Sequence, residues 1–251
     1  MEYGKDYGKP EMMAVAIMRE IREGDVVFHG LGSPTPMVAM KAAKALGKEF
    51  SYLTVTGGVD HDWSNPPYCA STLTANTYEG SVAALGLEYI FDLFCSGKGD
   101  MVFLSCLQMD KEGRIAMSYI GGDYDHPKLR GPGGAGGATL ARVTPRTVIW
   151  KSAHDKRTFV ERVEFATTSP ALDKLFTVIT PLCIFRKQPG RKFLALDSIF
   201  PYTTLEEVKE NTGWEIKETN VSTMNPPTAE ELAAVKKVDV NDILSYEFNK
   251  L

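Results

Sequence analysis

The sequence predicts an α/β fold: an open, mainly parallel sheet with flanking helices and a more β-rich C-terminal half. Three observations predict it. Over the first hundred residues, short apolar runs alternate with segments of helical period. From residue 147 onward, apolar runs follow one another with turn residues between them. No internal repeat or low-complexity linker interrupts the 251 residues, so one continuous domain over 1–251 is expected.

The elements follow in order. Pro10 to Arg22 repeats Met13, Ala14, Ile17, Met18 and Ile21 at helical spacing, with Pro10 suited to a first turn and Gly24 beyond the end. DVVFH (25–29) reads as a buried strand, GLGSPTP (30–36) as a turn, and Met37 to Leu46 as a helix stopped at Gly47. SYLTVT (51–56) is a second buried strand, running into Gly57 and Gly58. Residues 57 to 80 lack periodicity, and so long a loop is expected to be functional or mobile. Ser81 to Ser96 reads as a helix with a break near Gly86. Residues 101–105 read as a strand, 110–113 as a turn and 114–120 as its pairing strand. TVIWK (147–151) and 158–168 are strand-like, and 176–200 form a hairpin turning at Pro189-Gly190. Thr204 with Glu207, and Thr228 with Glu231, fit capping boxes for a short helix ending at Gly213 and for one over 229–236.

Composition excludes several classes. The chain is 43% apolar and 24% charged, as in ordinary soluble proteins. Its net charge of −4 argues against a general nucleic-acid binder. No run of 18 apolar residues occurs, so no membrane span is expected. The start, MEYGKDYGKPE, has no apolar core of a secretory signal. Cys69, Cys95, Cys106 and Cys183 form no CxxC and read as reduced core thiols of a cytoplasmic protein. His29, His61, His126 and His154 show no metal-ligand spacing, and no metal is expected.

The stretch most suggestive of chemistry is GPGGAGGA (131–138), with five glycines in eight residues. Glycine permits positive φ and close backbone approach, so successive N–H groups of Gly133, Gly134, Ala135 and Gly136 can converge on an anion, a phosphate or a thioester oxyanion. A flexible loop without ligand is the alternative. Against it, the glycines alternate only with small residues and lead straight into TLARV, which suits a helix start. Neither Walker A nor the dinucleotide fingerprint fits. GLGSP (30–34) places Gly30 and Gly32 between a strand and a helix, where open α/β sheets bind ligands, although a plain β–α turn fits equally. TGGVDHD (56–62) ends the next strand in the same way, so three segments are expected to converge on one mouth. Asp60, His61 and Asp62 suit a tuned base, but more readily a solvated loop. His154 reads as structural. Asp123, Asp125, His126 and Lys128 either fix the glycine loop or meet another subunit.

SYIGGDYDHPKLRGPGGAGGATL with VIWKSAHDKRTFVERVEFATTSP resembles the β subunits of class I CoA-transferases of the glutaconate CoA-transferase type. EMMAVAIMREIREGDVVFHGLGSP and FPYTTLEEVKENTGWEIKET extend the resemblance over nearly the whole chain. It implies a class I CoA-transferase-like fold, a homologous α subunit in an α2β2 assembly, and an acyl-CoA substrate with coenzyme A as part of that substrate rather than a permanently bound cofactor. It also implies thioester-binding backbone donors at 30–34 and 133–137, and an active site between the subunits. The family's nucleophile is a β-subunit glutamate in a V-E-S-G context, and here the matching residues are Val55-Thr56-Gly57-Gly58. A threonine hydroxyl is un-ionised at neutral pH and cannot replace it without a neighbouring base. Similar subunits without the glutamate cleave C–C bonds in ring-derived CoA thioesters by hydrolysis, or decarboxylate 3-methylglutaconyl-CoA. The resemblance therefore implies C–C cleavage or decarboxylation first, genuine CoA transfer second, and a non-catalytic binding subunit third. Loop 57–80, with Trp63 and Tyr68, is expected to line the acyl pocket.

Overall fold

A computed structural model describes residues 1–248. The chain divides into two compact units, one formed by Met1–Leu104 with the segment from Asn225 onward, the other by Ser105–Met224.

In the first unit, α1 (Lys9–Glu20) starts at Gly8, whose N–H donates to the Glu11 carboxylate at 2.7 Å. It buries Met12 through Met18. β1 (Val26–His29) leads into α2 (Pro34–Ala45), which opens on two prolines suited to a first turn. β2 (Ser51–Thr54), β3 (Gly58–Val59), a 3-10 turn at Ala75–Thr77, β4 (Ala83–Ala84), α3 (Leu87–Cys95) and β5 (Met101–Leu104) follow. The strand order is β5-β1-β2-β3-β4. β1 runs parallel to β2 and β5, with Phe28 beside Leu53 and Val102. β3 and β4 are antiparallel.

The second unit holds β6 (Gln108–Asp110), β7 (Ile115–Ala116), β8 (Tyr119–Gly122), β9 (Pro127–Arg130), α4 (Gly137–Val143), β10 (Arg146–Trp150) and β11 (Phe159–Val160). β12 (Leu175–Ile179), β13 (Cys183–Lys187), β14 (Ala195–Ile199), α5 (Leu205–Asn211) and β15 (Ser222–Thr223) complete it. Its strands run β10-β12-β13-β14-β15, with β10 and β12 parallel and the two β13 pairings antiparallel, which is the β-rich character expected. β11-β6-β7 and the β8-β9 hairpin stand as smaller sheets. Asp110 is fully buried, accepting from Arg114 Nε at 2.8 Å and from the Glu112, Arg114 and Val163 N–H groups. The chain then returns to the first unit. There α6 (Ala229–Val238), with its Thr228/Glu231 capping box, and α7 (Ile243–Phe248) cover α1 and α2. Arg19 of α1 grips Glu231 through two bonds of 2.8 and 2.7 Å.

Several expected elements differ. The 81–96 helix begins only at Leu87, because Val82 and Leu85 N–H donate to Val59 and Gly57 carbonyls and draw that backbone into a strand. The 114–120 strand splits at Met117 and Ser118, whose N–H groups both donate to Thr167 Oγ1 at 2.9 Å. Only Phe159–Val160 of the 158–168 run is a strand, since Val163 N–H turns to Asp110. The 176–200 hairpin has a third strand: Thr180 Oγ1 accepts from Leu182 and Cys183 N–H and closes a turn before β13. Thr204 caps α5 by accepting from Glu207 N–H. Cys69 and Cys95 are exposed rather than core thiols; Cys106 and Cys183 are buried. No described helix is long and apolar enough to cross a membrane.

Candidate active site

The strand carrying Thr56 stops two residues before it. β2 ends at Thr54, and Thr56 lies in the tight turn to β3. Its Oγ1 is 2.8 Å from Thr54 Oγ1, 3.1 Å from Thr77 Oγ1 and 3.1 Å from the Thr77 carbonyl. Thr54 Oγ1 also accepts the Gly58 N–H at 3.1 Å. Thr77 Oγ1 donates to the Thr74 carbonyl at 2.7 Å, with the Thr72 carbonyl 3.4 Å away. Thr72 Oγ1 in turn accepts from Gly32 N–H at 3.1 Å and donates to the Gly30 carbonyl at 3.2 Å. A chain of threonines thus joins the turn after β1 to the turn after β2. Thr72 and Thr77 were not legible as site residues; the only trace in sequence is the threonine-rich STLTANT stretch inside the aperiodic loop.

The glycine pair is demanded by close approach. Gly57 has φ +90, and a Cβ there would lie 2.2 Å from the Leu85 carbonyl oxygen. A Cβ on Gly58 would lie 2.7 Å from the Thr77 carbonyl oxygen. Gly57 N–H donates to Thr54 O and Gly58 N–H to Thr54 Oγ1, so both donors act within the turn, while that of Gly32 is taken by Thr72 Oγ1.

The acids nearby are engaged elsewhere. Asp60 accepts from Tyr52 N–H at 2.9 Å and pairs with Lys44 at 3.0 Å. Asp62 accepts from Ser64 N–H and Oγ, bonds that hold its carboxyl below the usual range. His61 is not solvated: it is 2% exposed, packed edge-on against Tyr52, and burial pushes its imidazole down to about 3. The long loop is pinned rather than loose. Lys41 Nζ donates to Asn65 O, Asn76 Nδ2 to Pro66 O and Asn241 Nδ2 to Pro67 O. Trp63 lies under Lys237 Nζ at 4.9 Å, and Tyr68 is exposed with its hydroxyl donating to Glu79.

In the second unit, Gly131 and Gly133 N–H donate to Ser118 and Met117 carbonyls. Gly133 at φ +83 and Ala135 at φ +42 then fold the run back on itself before α4 begins. Gly137 N–H closes onto Gly134 O at 2.8 Å. The N–H groups of Gly134, Ala135 and Gly136 have no acceptor among the described residues. Alternating left- and right-handed residues that present successive N–H groups form an anion-binding concavity. Asp123, Asp125, His126 and Lys128 do not support it. They sit on the β8–β9 hairpin, where Asp123 accepts from Asp125 and His126 N–H, and none hydrogen-bonds to the glycine run among the described residues. His154 is structural, with Nδ1 2.8 Å from Thr180 Oγ1, Nε2 3.0 Å from Thr212 Oγ1, and its ring on Phe159.

The sequence profile of the family described as "Coenzyme A transferase" matches residues 10–211. The B-type subunit of the 3-oxoadipate CoA-transferase of Pseudomonas knackmussii is 30% identical, over 93% of this chain and 94% of its own length. The B-type subunit of the glutaconate CoA-transferase of Acidaminococcus fermentans is 27% identical, over 84% of each. Among solved structures, the decarboxylase AibA/AibB superposes with a TM-score of 0.87 at 27% identity, covering 95% of this chain and 98% of that one.

Proposed function

Since the chain belongs to the coenzyme A transferase family, we propose that it is the B-type subunit of an enzyme that decarboxylates, or cleaves a C–C bond in, an acyl-CoA thioester. Thr56 supports this reading: the resemblance puts it at the family's glutamate position, and its hydroxyl is held by Thr54 and Thr77, with no base hydrogen-bonded to it among the described residues. A hydroxyl so placed has no means of becoming an alkoxide. An anhydride with the acyl group needs a carboxylate, so CoA transfer through this position is disfavoured.

The chemistry left to the chain is stabilisation of charge. In decarboxylation, the electrons of the breaking C–C bond move into the conjugated thioester, CO2 leaves, and a proton then quenches the carbanion. In hydrolytic cleavage, water adds to a carbonyl and the same enolate is the leaving group. Both place negative charge on the thioester oxygen, and donors such as the Gly134, Ala135 and Gly136 N–H groups suit it. Gly30 and Gly32 in the turn after β1, and Gly57 and Gly58 in the turn after β2, hold acyl-CoA in the same proposal. Because Asp60 and Asp62 are engaged, the proton donor or base comes from a homologous A-type partner in an α2β2 assembly. The whole of 1–251 acts as one such subunit.

True CoA transfer is the second reading, favoured by the 30% identity to a 3-oxoadipate CoA-transferase subunit. The test is to assemble the chain with its A-type partner and supply acyl-CoA, an acceptor acid and borohydride. CO2 release or C–C cleavage with no modified residue is expected. A reduced, modified glutamate on this chain would overturn the proposal in favour of transfer.

A further inference from the structure

Behind the turn that follows β1, three rings from three segments of the first unit meet. His29 ends β1, Tyr52 belongs to β2, and His61 comes from the segment after β3. His29 and Tyr52 lie 5.5 Å apart by ring centroid, and Tyr52 and His61 4.5 Å, both edge-on. All three are buried, at 0%, 0% and 2% exposure. Four of their polar atoms nevertheless lack a partner among the described residues: His29 Nε2, Tyr52 Oη and both nitrogens of His61. Native interiors pair nearly all such atoms, so a concentration of this kind points to a ligand.

The donor and acceptor inventory identifies its class. His29 Nδ1 faces the Gly30 carbonyl at 3.2 Å. A carbonyl only accepts, so Nδ1 carries the hydrogen and Nε2 presents a lone pair to the cluster. Neutral His61 offers one N–H and one lone pair, and the Tyr52 hydroxyl donates or accepts. A ligand that both donates and accepts satisfies this set. An anion would face the Nε2 lone pair. A metal cation would face the Lys41 ammonium, which is buried in the same region with Nζ on Asn65 O at 2.9 Å and whose charge bears on both imidazoles.

We propose that His29, Tyr52 and His61 form a buried hydration site, holding ordered water that donates to His29 Nε2 and joins it to Tyr52 and His61. The site is independent of the reaction proposed above. Its consequence is positional. The water fixes the His29 tautomer, the tautomer fixes the Gly30 carbonyl, and Gly30 is where the threonine chain through Thr72 begins.

The experiment uses the full chain. Two-dimensional 15N spectra of the histidine side chains should show His29 protonated on Nδ1 alone, with a long-lived water cross-peak to the cluster. A high-resolution crystal structure should place a water within hydrogen-bonding distance of Nε2. Tyr52→Phe keeps the ring and removes the hydroxyl; it should shorten the water's residence at least tenfold. A dry cluster with His61 N–H directed at the Tyr52 ring face, a halide found there after bromide soaking, or a His29 protonated on Nε2 would each overturn the proposal. The wild-type spectra decide it even if Tyr52→Phe does not fold.

Discussion

Alanine in place of Gly57 should destabilise the protein about three times as much as alanine in place of Gly133, although both glycines are left-handed, at φ +90 and +83. A side chain in this region costs about 1–2 kcal/mol, of which about 0.4–1 kcal/mol is returned because alanine restricts the unfolded chain. At Gly133 nothing lies within 4 Å of the new Cβ, so the net cost is about 1 kcal/mol. At Gly57 the Cβ would stand 2.2 Å from the Leu85 carbonyl oxygen, a backbone atom that cannot rotate aside. Relief requires the 82–85 segment to withdraw, which breaks the Leu85 N–H bond to Gly57 O and strains the Gly58–Ala84 and Val59–Ala83 pairing. At about 1 kcal/mol for each hydrogen bond lost, the total reaches about 3 kcal/mol. For a chain of this size that is a Tm drop of roughly 6–12 °C, against roughly 2–4 °C for Gly133→Ala. Urea and thermal unfolding of the two variants, followed by circular dichroism, measure the difference. Equal losses, or a milder Gly57→Ala, would refute the close approach of the 85 backbone.

Three further outcomes are expected. Burial pushes His29 down to about 4 and His61 to about 3 from 6.5, so the unfolded chain binds more protons below neutrality. Stability should be full above the unfolded value of 6.5 and fall by about 2 kcal/mol per histidine between pH 7.5 and 5; His61→Gln should remove its share of the change in urea midpoint, and an unaltered slope would mean that His61 is not buried in the neutral form. Thr56→Val should lower stability by about 1–2 kcal/mol through its lost hydroxyl bonds while turnover stays within a few-fold; a thousandfold loss of kcat at unchanged KM would give the hydroxyl a chemical role. Gly134→Val brings its Cβ to 2.9 Å from Thr167 Cγ2 and blocks the neighbouring donors, so kcat should fall by roughly 10²–10³, and an unchanged kcat would remove the oxyanion role.

The parts of the fold that could be read from sequence are those where one local signal suffices. The period of α1, the apolar runs of β1, β2 and β10 and the Thr228 cap each need only a few adjacent residues, whereas Pro34 and Pro36, expected in a turn before a helix at Met37, instead open α2. What escaped depends on partners distant in sequence. Nothing in SVAALG announces that 83–84 will pair with β3, and nothing in RIAMSYI shows that Thr167 will divide it. The candidate site divides in the same way. Gly32, Gly57 and Gly133 do occupy left-handed backbone, and a Cβ on Gly58 would meet the Thr77 carbonyl oxygen, so at these positions glycine answers a local steric demand; Gly30 carries none. The assignment of His61 to a solvated loop failed because a histidine between two aspartates looks polar, whereas the fold turns both acids outward to Lys44 and Ser64 and the ring inward to Tyr52.

The return of α6 to the first unit bears on how the chain is made. α1 and α2 leave the ribosome early, but Leu232, Val235 and Val238, which cover them, and Glu231, which takes Arg19, come more than a hundred residues later. At about 5–20 residues per second, the open helical face waits on the order of ten seconds for its cover. The second unit is synthesised entirely within that interval. The unit whose sequence begins first is therefore the one completed last, and ribosome-stalled chains ending before Thr228 should stay protease-sensitive at α1.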